Sequence, residues 1–424
     1  MCFVVAGSTG VLYRAGLLFG LPGGLDFGNV RHAHSHLMYF GWVTPAIMAM
    51  LAQRLPASRR MRQVIHALLV LAGLAYVPFL LYGYGLAAIG ALRLPLSVIL
   101  ATANMIGWYV FVVLYVRKRP ALGARPARWF WDAALAFLVV ASLGAWGLGL
   151  VQALRPDNPV WFAATLHLFL DLFADGWLVL AVLGFAVDAY APVDTRSKLR
   201  WSWGLLVTGL PAMFLLSIPM DLVSSAVRLV GSVGALASAA GLVLFLAALG
   251  RSARRAPMWQ LPLALLALKA LVHVGLAMPA TAQWGLDAGL RIPYLHVVLL
   301  GVVTLGLLAA ARDTWGPSAV RGWPAVHGSV VLLLASLMPL TGLWPAACSG
   351  RWVLWAALGG ALAPTLAMAV LLVRSAYRRM KPPPSSPPDP DSSDETHPST
   401  RHPHVSSRDG ATVHRLFHPT NPSI

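Results

Sequence analysis

Three histidines fall within five residues of the stretch NVRHAHSHLMYFGWV, at positions 32, 34 and 36, just ahead of a long apolar run. Neutral imidazole is the commonest side-chain metal ligand near neutral pH, and it also serves as an axial ligand of heme. A second stretch, LHLFLDLFADGW, carries His167, Asp171 and Asp175 four residues apart, so on a helix they line one stripe. A third places Lys269 four residues before His273, again on one face. His296 opens a further apolar run, and Arg14 interrupts the first one. The chemistry these types offer is metal or heme ligation by imidazole. Asp171, Asp175 and Lys269 would act beside it, orienting a ligand through hydrogen bonds or passing protons in a catalytic role. Arg14 is a candidate anchor for an anionic group, such as a heme propionate or a lipid head group.

The elements that must hold these residues are membrane helices. The chain is 58% hydrophobic and 11% charged, with a mean hydropathy of +0.69. Apolar runs long enough to cross a hydrocarbon core of ~30 Å recur along it. Helices and closed barrels are the only structures that satisfy their backbone in lipid, and the short alternating segments of a barrel are missing. The expected fold class is therefore all-α, a polytopic membrane bundle of about 12 transmembrane helices. Its spans are predicted near 2–21, 31–52, 64–86, 95–116, 129–152, 159–187, 201–220, 229–249, 257–279, 292–311, 328–345 and 352–373. The N-terminal run reads as the first of these helices rather than a cleaved signal.

The formal charge of +17 does not point to nucleic acid, because its placement follows the membrane. The basic stretches QRLPASRRMR, RKRPALGARPAR, DTRSKLR, GRSARR and RDTWGPSAVR occupy alternate loops, and RRMK joins them after the last span. The intervening loops carry one arginine each: Arg31, Arg93, Arg155, Arg228, Arg291 and Arg351. By the positive-inside rule both termini are cytoplasmic, in a bacterial-type inner (plasma) membrane. From residue 377 to 424 the composition turns Pro-, Ser- and His-rich and reads as a disordered cytoplasmic tail, leaving 1–376 as the bundle. The two cysteines, Cys2 and Cys348, fall on opposite sides of this topology and suggest no disulfide.

This orientation gives the histidines a common depth. Of the eight that precede the tail, His32, His34, His36, His167, His273 and His296 lie at the outer level, on spans two, six, nine and ten. Only His66 and His327 lie at inner helix ends. In a regular helix His32 and His36 share a face while His34 points nearly opposite, so at most two of the three serve one site. Which of them faces His296 is left open. Counting depth along antiparallel spans places Lys269 level with Asp171, and the two are expected to pair or share a polar cavity. Other chemistry is thinly supported: the only glutamate is Glu395, so there is no HExxH zinc motif, and no Walker loop occurs. The small-residue run GSVGALASAAG suggests close helix packing.

Twelve spans with cytoplasmic termini, with histidines at the outer ends of spans two, six and ten, resemble subunit I of the heme–copper oxidase and nitric-oxide reductase superfamily. HAHSHLMYFGWV is similar to the second-helix signature of that group, and most of all to the corresponding segment of the NnrS family of heme- and copper-containing membrane proteins. LHVVLLGVVTLGLL, with His296, is similar to the tenth-helix histidine segment. The resemblance implies a heme between spans two and ten, with ligands among His32, His34, His36 and His296. It implies copper at His167, with His273 as a further metal ligand, and a role in respiratory electron transfer or in oxygen or nitric oxide chemistry or response. A cytochrome or other redox subunit would be the partner, with membrane lipid around it. The chain departs from the pattern in span seven, which has no histidine, and in span ten, which has one. The competing expectation is a metal or small-solute transporter that uses the same His/Asp/Lys cluster. A third is a structural or assembly partner without a bound cofactor.

Overall fold

The computed structural model describes residues 1–154 and 157–380. The segment from 381 onward, on which most of the expected tail falls, lies outside the described residues. Residues up to Arg379 form one compact unit of helices. Eleven helices among the described residues are long and apolar enough to cross a membrane. They are α1 Cys2–Phe19, α3 Arg59–Tyr82, α4 Leu96–Leu122, α5 Pro126–Leu154, α6 Pro159–Tyr190, α7 Val193–Ser217, α8 Ser225–Ala248, α9 Pro257–Leu276, α10 Arg291–Trp315, α11 Trp323–Leu340 and α12 Arg351–Ser375. The remaining expected span, α2, is helical without a break over residues 27–53. Its histidine-rich first half makes it less apolar than the others. The chain is thus an all-α, multi-pass membrane protein. The last helix continues to Met380, past the expected end of the bundle at 376.

Local sequence explains the helix ends. Asp26, Ser58, Asn158 and Ser224 each accept a hydrogen bond from the backbone N–H three residues on, capping α2, α3, α6 and α8. Pro126, Pro159 and Pro257 occupy first-turn positions, where a missing N–H costs nothing. Gly83 and Gly316 close α3 and α10 with positive φ of 56° and 82°, a conformation that side chains with a Cβ resist. After Gly83 a short hairpin, β1 Ala87–Ile89 with β2 Leu92–Leu94, leads into α4.

Burial orders the bundle. The most apolar stretches of α6 and α10 are 78% and 72% buried, against 28% for α1, α3 and α4, so α6 and α10 are central. α2 joins them through Phe40, which packs edge-on against Trp108 of α4, itself against Phe173 of α6. All three of these helices contain a π-helical segment: Leu37–Val43, Leu172–Val179 and Val297–Thr304. Such wide turns are rare and recur at functional sites. In α2 and α10 they begin immediately after His36 and His296, and in α6 immediately after Asp171.

Two further contacts hold the frame. α7 and α8 approach so closely that a Cβ on Gly209 would lie 2.7 Å from the Gly234 carbonyl, which is the packing expected of the small-residue run. At the opposite end of α2 from its histidines, Arg54 binds Asp188 at 2.9 Å and donates to Thr314 at 3.3 Å. Arg125 reaches the same carboxylate at 3.2 Å. One carboxylate thereby ties α2 to the segment before α5 and to α6, while Arg54 also reaches α10.

Candidate functional site

The three opening histidines part company, as helical geometry requires. His32 and His36 turn to one side, toward α3 and the loop after it. The His36 ring stacks on Phe79 with centroids 3.8 Å apart, and its Nε2 lies 2.8 Å from the Tyr84 hydroxyl. His32 packs edge-on against the same tyrosine at 4.8 Å. Neither lines the cavity that holds His296. Both are held in an aromatic cluster instead.

His34 points the other way, into a cavity of about 360 Å³ walled by α1, α2, α10, α11 and α12. His296 lines the same cavity. The two rings are held alike. His34 Nδ1 is 2.7 Å from the carbonyl of Ala6, and His296 Nδ1 is 2.8 Å from the carbonyl of Ile292. A carbonyl can only accept, so each Nδ1 carries the hydrogen and each Nε2 keeps its lone pair. Among the described residues neither Nε2 has a hydrogen-bond partner. This is the tautomer a metal-ligating histidine needs, with its second nitrogen anchored by a backbone oxygen.

The remaining walls suit a large, flat, mostly apolar group with charged ends. Phe3, Met38, Trp42, Leu295 and Leu299 give apolar surface, and Arg14 and Arg31 place two guanidinium groups on the lining. Gly10 of α1 also lines it, and a Cβ there would stand 3.0 Å from His34 Cε1. The absence of a side chain at position 10 thus leaves the imidazole its place. Arg14, the candidate anchor for an anionic group, is one of the lining residues. Arg31, which looked like an ordinary loop charge, adds a second cation that only the fold brings alongside.

A buried ionic cluster is the second feature. Lys269 of α9 is 1% exposed and Asp175 of α6 is 6% exposed. The ammonium contacts both carboxylate oxygens, at 2.8 and 2.9 Å. It also lies 2.9 Å from His273 Nε2 and donates to the Tyr294 hydroxyl. Three N–H bonds therefore face a carboxylate, an imidazole nitrogen and a hydroxyl, so the buried cation is fully satisfied. Since His273 Nε2 accepts from Lys269, its Nδ1 carries the hydrogen and donates to Ser238 Oγ at 3.1 Å. Both ring nitrogens are thus occupied, which does not suit the expected metal-ligand role of His273.

Lys269, expected to pair or share a polar cavity with Asp171, forms its ion pair with Asp175, four residues further along α6. Asp171 stays with His167 instead. His167 Nδ1 is 3.5 Å from Asp171 Oδ2, too long for a well-formed hydrogen bond, so both atoms are buried without one. Among the described residues no group of three or more His, Cys, Asp or Glu is placed to hold a metal ion. His167 and Asp171 therefore lack the further ligands a copper site would require. Tyr294 and Ser238 were not anticipated; Tyr294 lies two residues before His296 and could have been suspected from that spacing.

No model of a known protein family matches the chain, and no curated protein matches it.

Proposed function

We propose that the chain is a heme-binding membrane protein that passes single electrons, and that His34 and His296 would hold the heme through their free imidazole nitrogens. The observation that carries this reading is the pair of histidines in one cavity wall, each with Nδ1 committed to a carbonyl and Nε2 free. The apolar lining and the two arginines support it, since heme is a flat apolar ring with two carboxylates at one edge. When bound, heme held by two imidazoles supplies reversible one-electron chemistry on iron.

The rest of the work falls to the chain. Ala6 and Ile292 orient the rings and raise the basicity of their free nitrogens. Arg14 and Arg31 would neutralise propionates. The apolar wall excludes water. The resemblance to the heme–copper oxidase and nitric-oxide reductase superfamily, and to NnrS-like proteins, is a second support, and it favours a role in respiratory electron transfer or in sensing oxygen or nitric oxide. Copper is not part of this proposal, because no ligand set for it is gathered among the described residues. The basic loops support an inner-membrane location with cytoplasmic termini, and the resemblance implies a cytochrome or similar subunit as electron donor.

A transporter would draw on the Lys269–Asp175 pair, but α6 and α9, which carry it, cross without unwinding into extended backbone. The deciding experiment is purification in detergent from heme-replete cells, followed by an absorption spectrum and an iron assay. We expect a Soret band and one iron per chain. No Soret band and no stoichiometric iron would overturn the reading.

A further inference from the structure

A groove on the lipid-facing side of α3 and α4 has the shape and charge of a phospholipid site. It encloses about 510 Å³ and is lined by Arg60, Gln63 and Val64 of α3 and by Ile106, Tyr109, Val110, Val113, Leu114 and Arg117 of α4. Both arginines lie at the same end, because α3 begins where α4 finishes. Neither has an ion-pair partner among the described residues. Below them the wall is apolar, and Ile106, Val110 and Val113 are 52%, 45% and 49% exposed. Tyr109 offers no competing polarity, since its hydroxyl is bonded to Ser142 Oγ and Trp146 Nε1.

The groove's length decides what fits it. From Arg117 to Ile106 is eleven residues, or ~16 Å of helix. Half of a ~30 Å hydrocarbon core is close to the same figure. The groove therefore runs from a basic rim at the membrane surface to about the bilayer midplane, the reach of one leaflet's acyl chains. A soluble anion would use the rim and leave the apolar wall bare. An apolar solute would use the wall and leave two unpaired guanidinium groups.

We propose that this groove binds an anionic glycerophospholipid, its phosphate between Arg60 and Arg117 and one acyl chain along Val64, Ile106, Val110 and Val113. Basic pockets between membrane helices on the side of the basic loops suit such head groups. The site is independent of the heme reading, because none of its residues lines the histidine cavity.

The test is native mass spectrometry of the full chain in neutral detergent, titrated with phosphatidylglycerol or with phosphatidylcholine of the same chains. We expect retained phosphatidylglycerol and little phosphatidylcholine. The double variant Arg60→Gln/Arg117→Gln should bind phosphatidylglycerol roughly thirtyfold more weakly, at about fivefold per basic residue. Arg200→Gln, in another basic loop, should bind as the parent does. Equal retention of the two lipids by the parent would overturn the proposal without any variant. So would unchanged affinity in a double variant whose circular dichroism matches the parent, or displacement of the lipid by millimolar inorganic phosphate.

Discussion

His34 and His296 are separated by 262 positions in the chain, the difference of their numbers, yet they face one cavity with the same nitrogen tied down and the same nitrogen free. Two helix ends and two backbone carbonyls were needed to produce that match. The other outer histidines have partners of a different kind: aromatic rings for His32 and His36, an ammonium and a serine for His273, a nearby carboxylate for His167.

The first prediction separates these groups. His34→Ala and His296→Ala should each abolish the Soret band of the purified protein, whereas His32→Ala should keep it. Spectra of the three variants, normalised to protein, decide the matter. Retention of the parent spectrum in His34→Ala would remove that residue as a ligand.

Gly10 gives a subtler check. Valine there would push its Cβ, and two methyls beyond it, against the His34 ring, where even the Cβ alone stands at 3.0 Å. Overpacking of this kind costs about 1–3 kcal/mol, which the cavity can relieve by letting the ring rotate away. The expected result is lost iron with unchanged helical circular dichroism. Full iron content in Gly10→Val would show that the ring is not held where the geometry places it.

Lys269 and Asp175 should behave as a unit. Removing one charge strands the other inside the bundle, at a cost of about 3–5 kcal/mol. Lys269→Met and Asp175→Asn should therefore both lower the thermal unfolding temperature in detergent. The double variant Lys269→Met/Asp175→Leu should recover much of the loss, because two apolar side chains leave no charge unpaired. A double variant as unstable as the sum of the singles would argue that the two do not form an isolated pair.

At the other end of α2, Arg54 ties three helices through Asp188 and Thr314 and packs its guanidinium 4.7 Å over the Phe185 ring. Hydrogen bonds to charged groups contribute about 1.5–3 kcal/mol each, and both partners here are mostly buried. Arg54→Gln should destabilise by an amount in that range. Thermal melts of this variant and of Arg196→Gln, whose guanidinium only covers the Trp129 ring, provide the comparison.

Much of the fold was legible in the chain itself. Apolar runs must span lipid as helices, so the helices of the bundle followed from composition, with ends shifted by a few residues wherever a cap or proline governed. The longest shift is at α7, which begins at Val193 rather than 201; α3 begins at Arg59 rather than 64 because Ser58 caps it there. The expected common depth of the histidines rests on equally local facts: helix direction alternates, and rise per residue is constant.

Which residues meet was decided by tertiary structure. Helical periodicity separated His34 from His32 and His36, but it could not say which side faced α10, since that depends on how α2 is rotated in the bundle. It set Lys269 level with Asp171, whereas the ion pair forms with Asp175, four residues further along α6. Arg31 looked like a loop charge, and the fold sets it on the rim of the cavity that holds His34 and His296. Sequence alone determined that this protein is a set of apolar helices long enough to span lipid, because hydrophobic length and period are local properties. The cavity, its paired tautomers and the buried Lys269–Asp175 cluster depend on rotation, register and close approach between helices distant in the chain, and only packing sets those.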